Sequence, residues 1–321
     1  MKPKVFVTRH LPEAAYHTLA KACEIEYWDY ETPPSYEVLA ERIQDKQGLI
    51  CLLTDRIDAA LMDRAPGLKV ISQIAVGFDN IDVPAASKRG IRVGNTPGVL
   101  TDATADFAFT LLMAAARRVG EAIDYVHSGR WETWGLTLLL GQEVYGATLG
   151  IIGFGRIGQA LARRARGFDM KILYHDSIRI PEAEAAFGAE FHELDDLLRE
   201  ADFISLHINL SPETHGMINA NAFSLMKPTA VLINTARGPI VDSDALYDAL
   251  KNKRIAAAAL DVTDPEPLPS NHPLLTLPNL LVAPHIASAT STSRNKMSMM
   301  AVENLLAGVR GEPLPFPVNR V

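Results

Sequence analysis

Thr148-Leu-Gly-Ile-Ile-Gly-Phe-Gly-Arg-Ile-Gly-Gln159 is an apolar run that breaks into glycines and then resumes at helical spacing. The glycines follow the pattern Gly153-x-Gly155-x-x-Gly158. In a strand–turn–helix setting the first makes the tight turn, the second lets the backbone approach a pyrophosphate, and the third lets helix and strand pack closely. The helix then offers free N–H groups and its positive dipole end to phosphates. The stretch predicts a dinucleotide-binding unit; a structural glycine turn is the alternative.

The expected choice of dinucleotide depends on the end of the next strand. Lys171-Ile-Leu-Tyr174 is β-favouring and leads to Asp176, 18 residues after Gly158. A carboxylate there accepts hydrogen bonds from the ribose hydroxyls of NAD(H) and repels the 2′-phosphate of NADP(H). Arg179 would pair with such a phosphate if the turn brought it to the ribose; otherwise it is a solvated loop arginine. The sequence therefore favours NAD(H) and leaves NADP(H) open.

Composition excludes several classes of partner. The chain is 48% hydrophobic and 21% charged, with a net charge of −7 and no long charged blocks, which argues against nucleic acid or an anionic membrane as partner. The N-terminus shows no signal peptide pattern, and no apolar stretch reaches the length of a membrane span. The two cysteines, Cys23 and Cys51, show no CxxC spacing, so we expect reduced thiols in the cytoplasm and no metal site.

Length and alternation predict the fold class. A chain of 321 residues exceeds what one core usually serves, so two domains are expected. Short β-rich runs alternate with helical patterns in the first hundred residues and again from Thr148, which indicates parallel sheets covered by helices. We predict an α/β protein with two doubly wound parallel sheets. Residues 1–99, completed by 291–321, form a flavodoxin-like substrate domain, and residues 100–290 form a Rossmann dinucleotide-binding domain.

The segment between the two alternations is strongly apolar. A long alanine-rich helix is predicted from Ala105 to about His127, and we expect it to be buried between other elements. Gly129-Arg-Trp-Glu-Thr-Trp134 and Leu136-Thr-Leu-Leu-Leu140 then leave the body of the fold. Two tryptophans and three consecutive leucines are more than a surface loop needs. We predict an arm that is buried against a second subunit in a homodimer.

A turn in the first half is a candidate anion site. Ala75-Val-Gly-Phe-Asp-Asn-Ile-Asp82 follows a predicted strand and contains a cluster of turn-forming residues. A glycine at the carboxyl end of a parallel strand lets backbone N–H groups point at a ligand's carboxylate. A plain strand-to-helix turn that uses glycine for its backbone freedom is an equal alternative.

Three polar side chains follow predicted strands in the second half, at the edge where a dinucleotide would bind. Arg237 lies in Asn234-Thr-Ala-Arg-Gly238, Glu266 in Leu260-Asp-Val-Thr-Asp-Pro-Glu-Pro267, and His285 in Ala283-Pro-His-Ile-Ala-Ser288. Hydride transfer to a carbonyl creates an incipient alkoxide, which a histidine can protonate near neutral pH. A neighbouring carboxylate favours the imidazolium, and an arginine binds a substrate carboxylate or the polarised oxygen. Singly each could be structural; together they predict carbonyl reduction.

The glycine fingerprint, Asn234-Thr-Ala-Arg-Gly-Pro-Ile-Val-Asp242, Leu260-Asp-Val-Thr-Asp-Pro-Glu-Pro267 and Pro284-His-Ile-Ala-Ser288 together resemble the D-isomer-specific 2-hydroxyacid dehydrogenase family. The resemblance covers essentially the whole chain, including Ala75-Val-Gly-Phe-Asp-Asn80. Within the family the chain is most similar to glyoxylate/hydroxypyruvate reductases.

The resemblance implies roles for individual residues. His285 would be the acid/base, Glu266 its partner and Arg237 the substrate anchor. Cofactor contacts are implied for Gly153, Phe154, Gly155, Arg156, Ile157, Gly158, Asp176, Asn209, Thr235, Asp261 and Ala287. Substrate contacts are implied for Val76 and Gly77, whose loop would hold the substrate carboxylate, and for Arg237, His285, Ser288 and Trp134. The last matches a tryptophan that a partner subunit contributes in similar reductases.

The resemblance also implies the reaction, hydride transfer from a nicotinamide cofactor to a small 2-oxo acid, with glyoxylate and hydroxypyruvate favoured. One departure concerns the cofactor: NADPH-preferring members tend to carry a small residue followed by arginine where this chain has Asp176-Ser177. The alternative activities within the family are those of 3-phosphoglycerate dehydrogenase, which shares every motif, and of D-lactate or formate dehydrogenase. A non-catalytic, NAD-sensing corepressor-like protein is the alternative outside enzymes.

Overall fold

The computed structural model describes residues 2–321, which fold as two compact α/β units. One unit is Met1–Leu100 with Ala289–Val321, and the other is Thr101–Ser288. Every strand pair within the two sheets is parallel. The predicted fold class, two doubly wound parallel-sheet domains, is confirmed.

The elements follow one another as the alternation predicts. The strands are β1 (Lys4–Val7), β2 (Glu24–Tyr27), β3 (Gly48–Cys51), β4 (Val70–Gln73), β5 (Arg92–Gly94), β6 (Thr148–Ile152), β7 (Lys171–His175), β8 (Ala189–Phe191), β9 (Phe203–Leu206), β10 (Val231–Asn234), β11 (Ala257–Leu260) and β12 (Leu280–Val282). The helices are α1 (Glu13–Ala22), α2 (Tyr36–Arg42), α3 (Ala59–Asp63), α4 (Val83–Lys88), α5 (Thr101–Ala116), α6 (Val119–His127), α7 (Arg156–Ala165), α8 (Pro181–Phe187), α9 (Leu194–Glu200), α10 (Ala220–Leu225), α11 (Ser243–Lys251) and α12 (Ser291–Arg310).

The first unit is a five-stranded sheet in the order β2-β1-β3-β4-β5, the flavodoxin-like order. The terminal helix α12 completes it by packing on β3, β4 and β5. The contact is close: a Cβ at Gly308 would overlap the side chain of Val70, and Ser72 Oγ donates a 2.8 Å hydrogen bond to the carbonyl of Ala301. The chain therefore returns to its first unit after completing the second.

The second unit is a seven-stranded sheet in the order β12-β11-β10-β9-β6-β7-β8. The chain runs outward from β6 through β7 to β8 and then returns to β9 on the other side of β6. The order therefore reverses between β6 and β9, and the loops that follow these two strands diverge at the carboxyl edge. In open α/β sheets such a crevice is where ligands bind.

Both faces of the seven-stranded sheet are covered by helices, so its central strands are apolar on both sides. Successive residues of β10 point to opposite faces: Val231 and Ile233 pack in the cluster that includes α5 and α7, and Leu232 packs in the cluster beneath α9 and α11. Helix α5 contacts α7, β10 and β11, which makes it the central helix of one face.

The prediction of one long helix from Ala105 to about His127 is wrong. The structure has two helices, because Arg118 adopts a left-handed backbone (φ 52°) and ends the continuous hydrogen-bond pattern. Two hydrogen bonds of 2.9 and 2.7 Å from its guanidinium to Glu121 fix the turn. The expected burial holds for α5, whereas α6 has no buried residue.

The arm after α6 carries large apolar side chains that the chain itself leaves exposed. Trp134 is 78% exposed and Leu136 77%, with Trp131 and Leu140 above 60%. On α6, Ile123 and Val126 are each 50% exposed. Three short elements, α4, β8 and α10, were absent from the sequence prediction because six, three and six residues are too few to show a period.

The glycine fingerprint gives a test of the packing between β6 and α7. A Cβ at Gly158 would overlap the Gly153 carbonyl oxygen and press on Ile151, whereas a Cβ at Gly155 would meet no atom within 4 Å. We therefore expect Gly158→Ala to lower the free energy of unfolding by about 2 kcal/mol. Gly155→Ala is the matched control and should leave it nearly unchanged. Urea denaturation of both variants measures the difference, and equal losses would refute the packing argument.

Candidate active site

The sheet register brings the ends of five strands of the second unit into one row. Ile152 pairs with Leu206, Leu206 with Asn234, Asn234 with Leu260, and Leu260 with Val282. The residues that follow these positions therefore lie side by side at the carboxyl edge. They include the glycine loop and all three predicted catalytic side chains.

The loop after β6 is built as an open cradle. Gly153 has φ 93°, and a Cβ there would overlap the backbone carbonyl of His207, so this turn requires glycine. Asp176 Oδ2 accepts a 2.7 Å hydrogen bond from the N–H of Phe154 and thereby ties the loop to the end of β7. The space above Gly155 is clear of protein atoms within 4 Å of a Cβ position. Backbone at this turn can approach a ligand closely.

Three further observations fit a dinucleotide along this edge of the sheet. The hydroxyl oxygen of Thr235 is buried yet has no hydrogen-bond partner among the described residues, although buried polar groups normally have one. Asp176 Oδ2 accepts one hydrogen bond and can accept a second, as a ribose hydroxyl would supply. The predicted cofactor residues Arg156 and Ile157 open α7, where N–H groups lack helix partners.

His285 and Glu266, the predicted acid/base and its partner, are in hydrogen-bond contact. Nδ1 of His285 lies 2.6 Å from Oε1 of Glu266. Because an ionised carboxylate only accepts, Nδ1 carries the hydrogen and Nε2 is the ring atom left for exchange with a substrate. Burial raises the pKa of Glu266, but the His285 hydrogen bond and charge, the Thr263 N–H and the Arg237 charge together lower it below its usual value. The carboxylate stays ionised beside the ring.

Asp261 holds the loop that carries His285. Its Oδ1 and Oδ2 accept hydrogen bonds from the N–H groups of Ile286 (2.7 Å) and Ala287 (2.8 Å), and its carbonyl accepts from the N–H of His285. His285 has a left-handed backbone (φ 55°), which this clamp maintains. Burial raises the pKa of Asp261, although the two N–H groups and the charge of His285 oppose the change. Asp261 thereby fixes the loop that carries both His285, the predicted acid/base, and Ala287, a predicted cofactor contact.

Arg237 is presented by a loop that Asn234 fixes. The fully buried Asn234 side chain accepts from the N–H of Ala236 (2.9 Å) and donates to the carbonyl of Arg237 (2.8 Å). A Cβ at Gly238 would overlap the carbonyl of Thr263, so the loops after β10 and β11 are in contact. This contact places Arg237 close enough for its charge to lower the pKa of Glu266.

The remaining predicted residues occupy varied environments. Arg179 donates to both carboxylate oxygens of Glu184, at 2.7 and 2.9 Å. Asn209 is exposed and Ser288 is half-buried, each just beyond a strand of the row. Trp134 lies on the exposed arm, remote along the chain from the catalytic loops.

In the first unit, Val76 and Gly77 lie on a half-buried loop after β4. Three successive carbonyls of this loop are held by the protein: Ala75 O accepts from the Thr96 N–H, Val76 O from Asn95 Nδ2, and Gly77 O from Gln73 Nε2. In a planar trans peptide the N–H points opposite to the carbonyl. The N–H groups of Val76 and Gly77, which donate no hydrogen bond within residues 2–321, therefore point away from the protein's own acceptors and can serve an anion.

Comparison with known proteins assigns the family. Residues 109–287 match the NAD binding domain of D-isomer specific 2-hydroxyacid dehydrogenases. A glyoxylate reductase of Korarchaeum cryptofilum is 53% identical over 100% of this chain and 97% of its own length. This chain belongs to the D-isomer-specific 2-hydroxyacid dehydrogenases. The resemblance inferred from the motifs is confirmed, and with it the reaction class, oxidation–reduction between a 2-oxo and a 2-hydroxy acid.

Solved structures of similar proteins agree with the fold. The crystal structure of a Thermus thermophilus protein superposes with a TM-score of 0.92 at 48% identity, covering 98% of this chain and 100% of the other. An NADPH-dependent glyoxylate/hydroxypyruvate reductase of Sinorhizobium meliloti, solved with NADP and malonate, gives a TM-score of 0.88 at 32% identity, with full coverage of both chains.

The sequence prediction missed one polar residue of the row, His207. It follows β9 directly, and its Nε2 lies 2.8 Å from Ser205 Oγ. Burial lowers the pKa of His207 to about 3, so the ring is neutral at physiological pH. Its signal was the strand-end position shared with Arg237 and His285. Across residues 2–321 no helix could span a membrane, and no cluster of His, Cys, Asp or Glu could hold a metal ion.

The His285–Glu266 pair predicts the pH dependence of this dehydrogenase. The pKa of Glu266 is held below its usual value of 4.5, so the carboxylate stays ionised and keeps the Nδ1 hydrogen of His285 as the pH falls to that value. We expect the wild-type kcat/KM for reduction to show no acid limb from Glu266 above pH 4.5. We expect Glu266→Gln to lower kcat/KM about tenfold across this range, because a neutral amide holds the Nδ1 hydrogen less strongly than a carboxylate does. Profiles of both proteins, measured in buffers of constant ionic strength, check this. A variant profile equal to that of the wild type would mean that Glu266 does not act through His285.

Proposed function

We propose that the protein reduces glyoxylate and hydroxypyruvate to the corresponding 2-hydroxy acids with a nicotinamide cofactor. The observation that carries the proposal is the 2.6 Å contact of His285 Nδ1 with Glu266 Oε1, in the same row of loops as Arg237 and the glycine cradle. The relatives named glyoxylate reductase support the substrate class, with identities of 53% and 51% for the archaeal proteins of Korarchaeum cryptofilum and Thermococcus litoralis.

The chain's own groups perform the proton transfer and the orientation. When bound, the reduced nicotinamide would supply the hydride. His285 gives the proton on Nε2 to the carbonyl oxygen as negative charge develops there, and Glu266 stabilises the imidazolium before transfer. Arg237 offers a fork of donors to the 2-oxo acid, and its delocalised charge favours the developing alkoxide. Val76 and Gly77 present N–H groups to the carboxylate.

Loss of the proton donor tests the reaction. We expect wild-type protein to oxidise NADH with glyoxylate and with hydroxypyruvate, and His285→Asn to lose at least about 100-fold in kcat because the amide cannot deliver a proton. Initial rates from reduced-nicotinamide absorbance measure both. Unchanged turnover in the variant would remove His285 from the mechanism, and no turnover in the wild type would refute the proposed substrates.

We propose NAD(H) as the preferred cofactor, with NADP(H) as the competing choice. Asp176 presents a carboxylate beside the cradle, where a 2′-phosphate would meet repulsion. Arg179, the residue that would pair with such a phosphate, is bound to Glu184 by two hydrogen bonds. NADP(H) competes because two similar proteins were solved with the phosphorylated cofactor, an acyclic imino acid reductase with NADPH and the Sinorhizobium meliloti reductase with NADP.

Selectivity between the cofactors tests this assignment. We expect Asp176→Ala to raise the ratio of kcat/KM for NADPH over NADH by about tenfold, because the repulsive carboxylate is gone. Arg179→Ala is the control and should change the ratio by less than about twofold, since Arg179 already pairs with Glu184. Steady-state kinetics with both cofactors decide. A wild-type preference for NADPH would overturn the role given to Asp176.

We propose further that the protein is a homodimer in which the apolar arm covers a second copy. Trp131, Trp134, Leu136 and Leu140 are all more than 60% exposed within one chain. Exposed apolar groups concentrated in one segment mark an interaction surface. The resemblance to glyoxylate/hydroxypyruvate reductases gives Trp134 a further role, in which it enters the substrate pocket of the partner subunit.

Charges on the arm should dissociate the dimer. We expect wild-type protein to have twice the 35.0 kDa mass of the chain, and Leu136→Asp with Leu140→Asp to give the single mass. Tyr30→Asp is the matched control, an exposed large side chain outside the arm that should leave the dimer intact. Light scattering after gel filtration measures the mass. A monomeric wild-type protein would refute the proposal.

We also propose a cytoplasmic location. Cys23 and Cys51 are both buried free thiols, without a disulfide among the described residues. This state is the usual one in a reducing compartment.

A further inference from the structure

Asn80 connects two strand-end loops of the first unit. Its Nδ2 donates to the carbonyls of Leu52 (3.0 Å) and Asp55 (2.8 Å), which belong to the loop after β3. Its Oδ1 accepts a 2.7 Å hydrogen bond from Nε2 of Gln73, the last residue of β4. Since β3 and β4 are neighbours in the sheet, one side chain thus ties together the ends of two adjacent strands.

The bond to Gln73 reaches the anion-binding loop. Gln73 is fully buried, and its Nε2 is shared between Asn80 Oδ1 and the carbonyl of Gly77 (3.3 Å). Its Oε1 accepts from the Cys51 thiol (3.1 Å), so both ends of the amide are held. Asn80 therefore fixes the Gln73 side-chain amide, which holds the Gly77 carbonyl. Holding this carbonyl also sets the direction of the Phe78 N–H in the same peptide unit.

The same side chain sets the direction of the neighbouring loop. Because Asn80 holds the Leu52 carbonyl, the N–H of Leu53 in that peptide unit points away from it. The N–H groups of Leu53 and Thr54 donate no hydrogen bond within the described chain. Asp55 closes this loop from the other side, with Oδ2 accepting from the Leu52 N–H (2.8 Å) and from the Thr8 hydroxyl (2.6 Å).

We propose that Asn80 is a positioning residue for substrate binding, which holds the loop after β3 and the Val76–Gly77 loop in one arrangement. The inference rests on the proposed role of Val76 and Gly77 in binding the substrate carboxylate. Asn80 acts through backbone directions and does not itself touch substrate. Without its two donors the carbonyl of Asp55 is released and that of Leu52 keeps only the Asp55 N–H, so the preset N–H groups lose part of their orientation before the substrate arrives.

The test is an isosteric pair of variants. Asn80→Asp keeps the size and one acceptor oxygen, but replaces the donor by an oxygen that faces two carbonyls. Asn319→Asp is the matched control in the same unit: its Nδ2 donates to the carbonyl of Ile91 (2.9 Å) and to Ser87 Oγ, and its Oδ1 accepts from the Val93 N–H (2.7 Å), away from both loops.

We expect Asn80→Asp to raise KM for glyoxylate by about tenfold while kcat and the NADH dissociation constant change by less than about threefold, because the loss is in ground-state binding. Asn319→Asp should lower thermal stability to a similar extent and leave KM unchanged. If KM stays at the wild-type value in Asn80→Asp, or rises equally in Asn319→Asp, the positioning role is wrong.

Hydrogen–deuterium exchange separates this inference from the proposed reaction. We expect the hydrogen-bonded backbone amides of Leu52, Asp55 and Ile74, which lie in the two loops or at their start, to exchange about tenfold faster in Asn80→Asp, and at wild-type rates in Asn319→Asp. This measurement needs no turnover. Unchanged exchange in both loops would overturn the inference even if the wild type reduces glyoxylate, whereas faster exchange with no wild-type turnover would leave the coupling intact and refute the proposed substrate.

Discussion

Parallel pairing of the strands is the constraint on which the site depends. The register aligns Ile152, Leu206, Asn234, Leu260 and Val282 in one row, and neighbouring strands lie about 4.8 Å apart. Five loops therefore start within one short edge, although they are more than a hundred residues apart in sequence at the extremes. No loop needs to be long to bring its side chain to the others. Any change that shifts the register by one residue would reverse which side chains face each helix layer.

Within that edge, the predicted catalytic side chains are positioned mainly by buried polar groups that anchor the backbone. Asp261 binds two N–H groups of the His285 loop, and Asn234 binds both ends of the Arg237 turn. Burying a carboxylate costs free energy, as the raised pKa of Asp261 reflects. The same low polarity strengthens its hydrogen bonds to the loop. The buried polar groups thus fix the backbone of loops that have little secondary structure, at some cost in folding stability.

The sequence predicted the fold well because its signals are local. Alternating β-rich and helical runs, the glycine spacing and the strand-end positions of Arg237, Glu266 and His285 can all be read without knowing any long-range contact. The break at Arg118 could not be predicted, because a left-handed arginine follows from the contacts around the turn and not from its helix propensity. The links made by Asn80 depend on the alignment of β3 with β4, which no short-range pattern encodes.

The backbone of His285 illustrates a conflict between durability and chemistry. A side chain at φ 55° costs about 1 kcal/mol or more relative to glycine, which adopts such angles freely. Selection for heat resistance alone would thus favour losing the imidazole at this position. A library ranked only by melting temperature would enrich inert proteins, and a screen for robust catalysts in this family must score turnover alongside stability. The proposed proton transfer accounts for a ring in this strained turn.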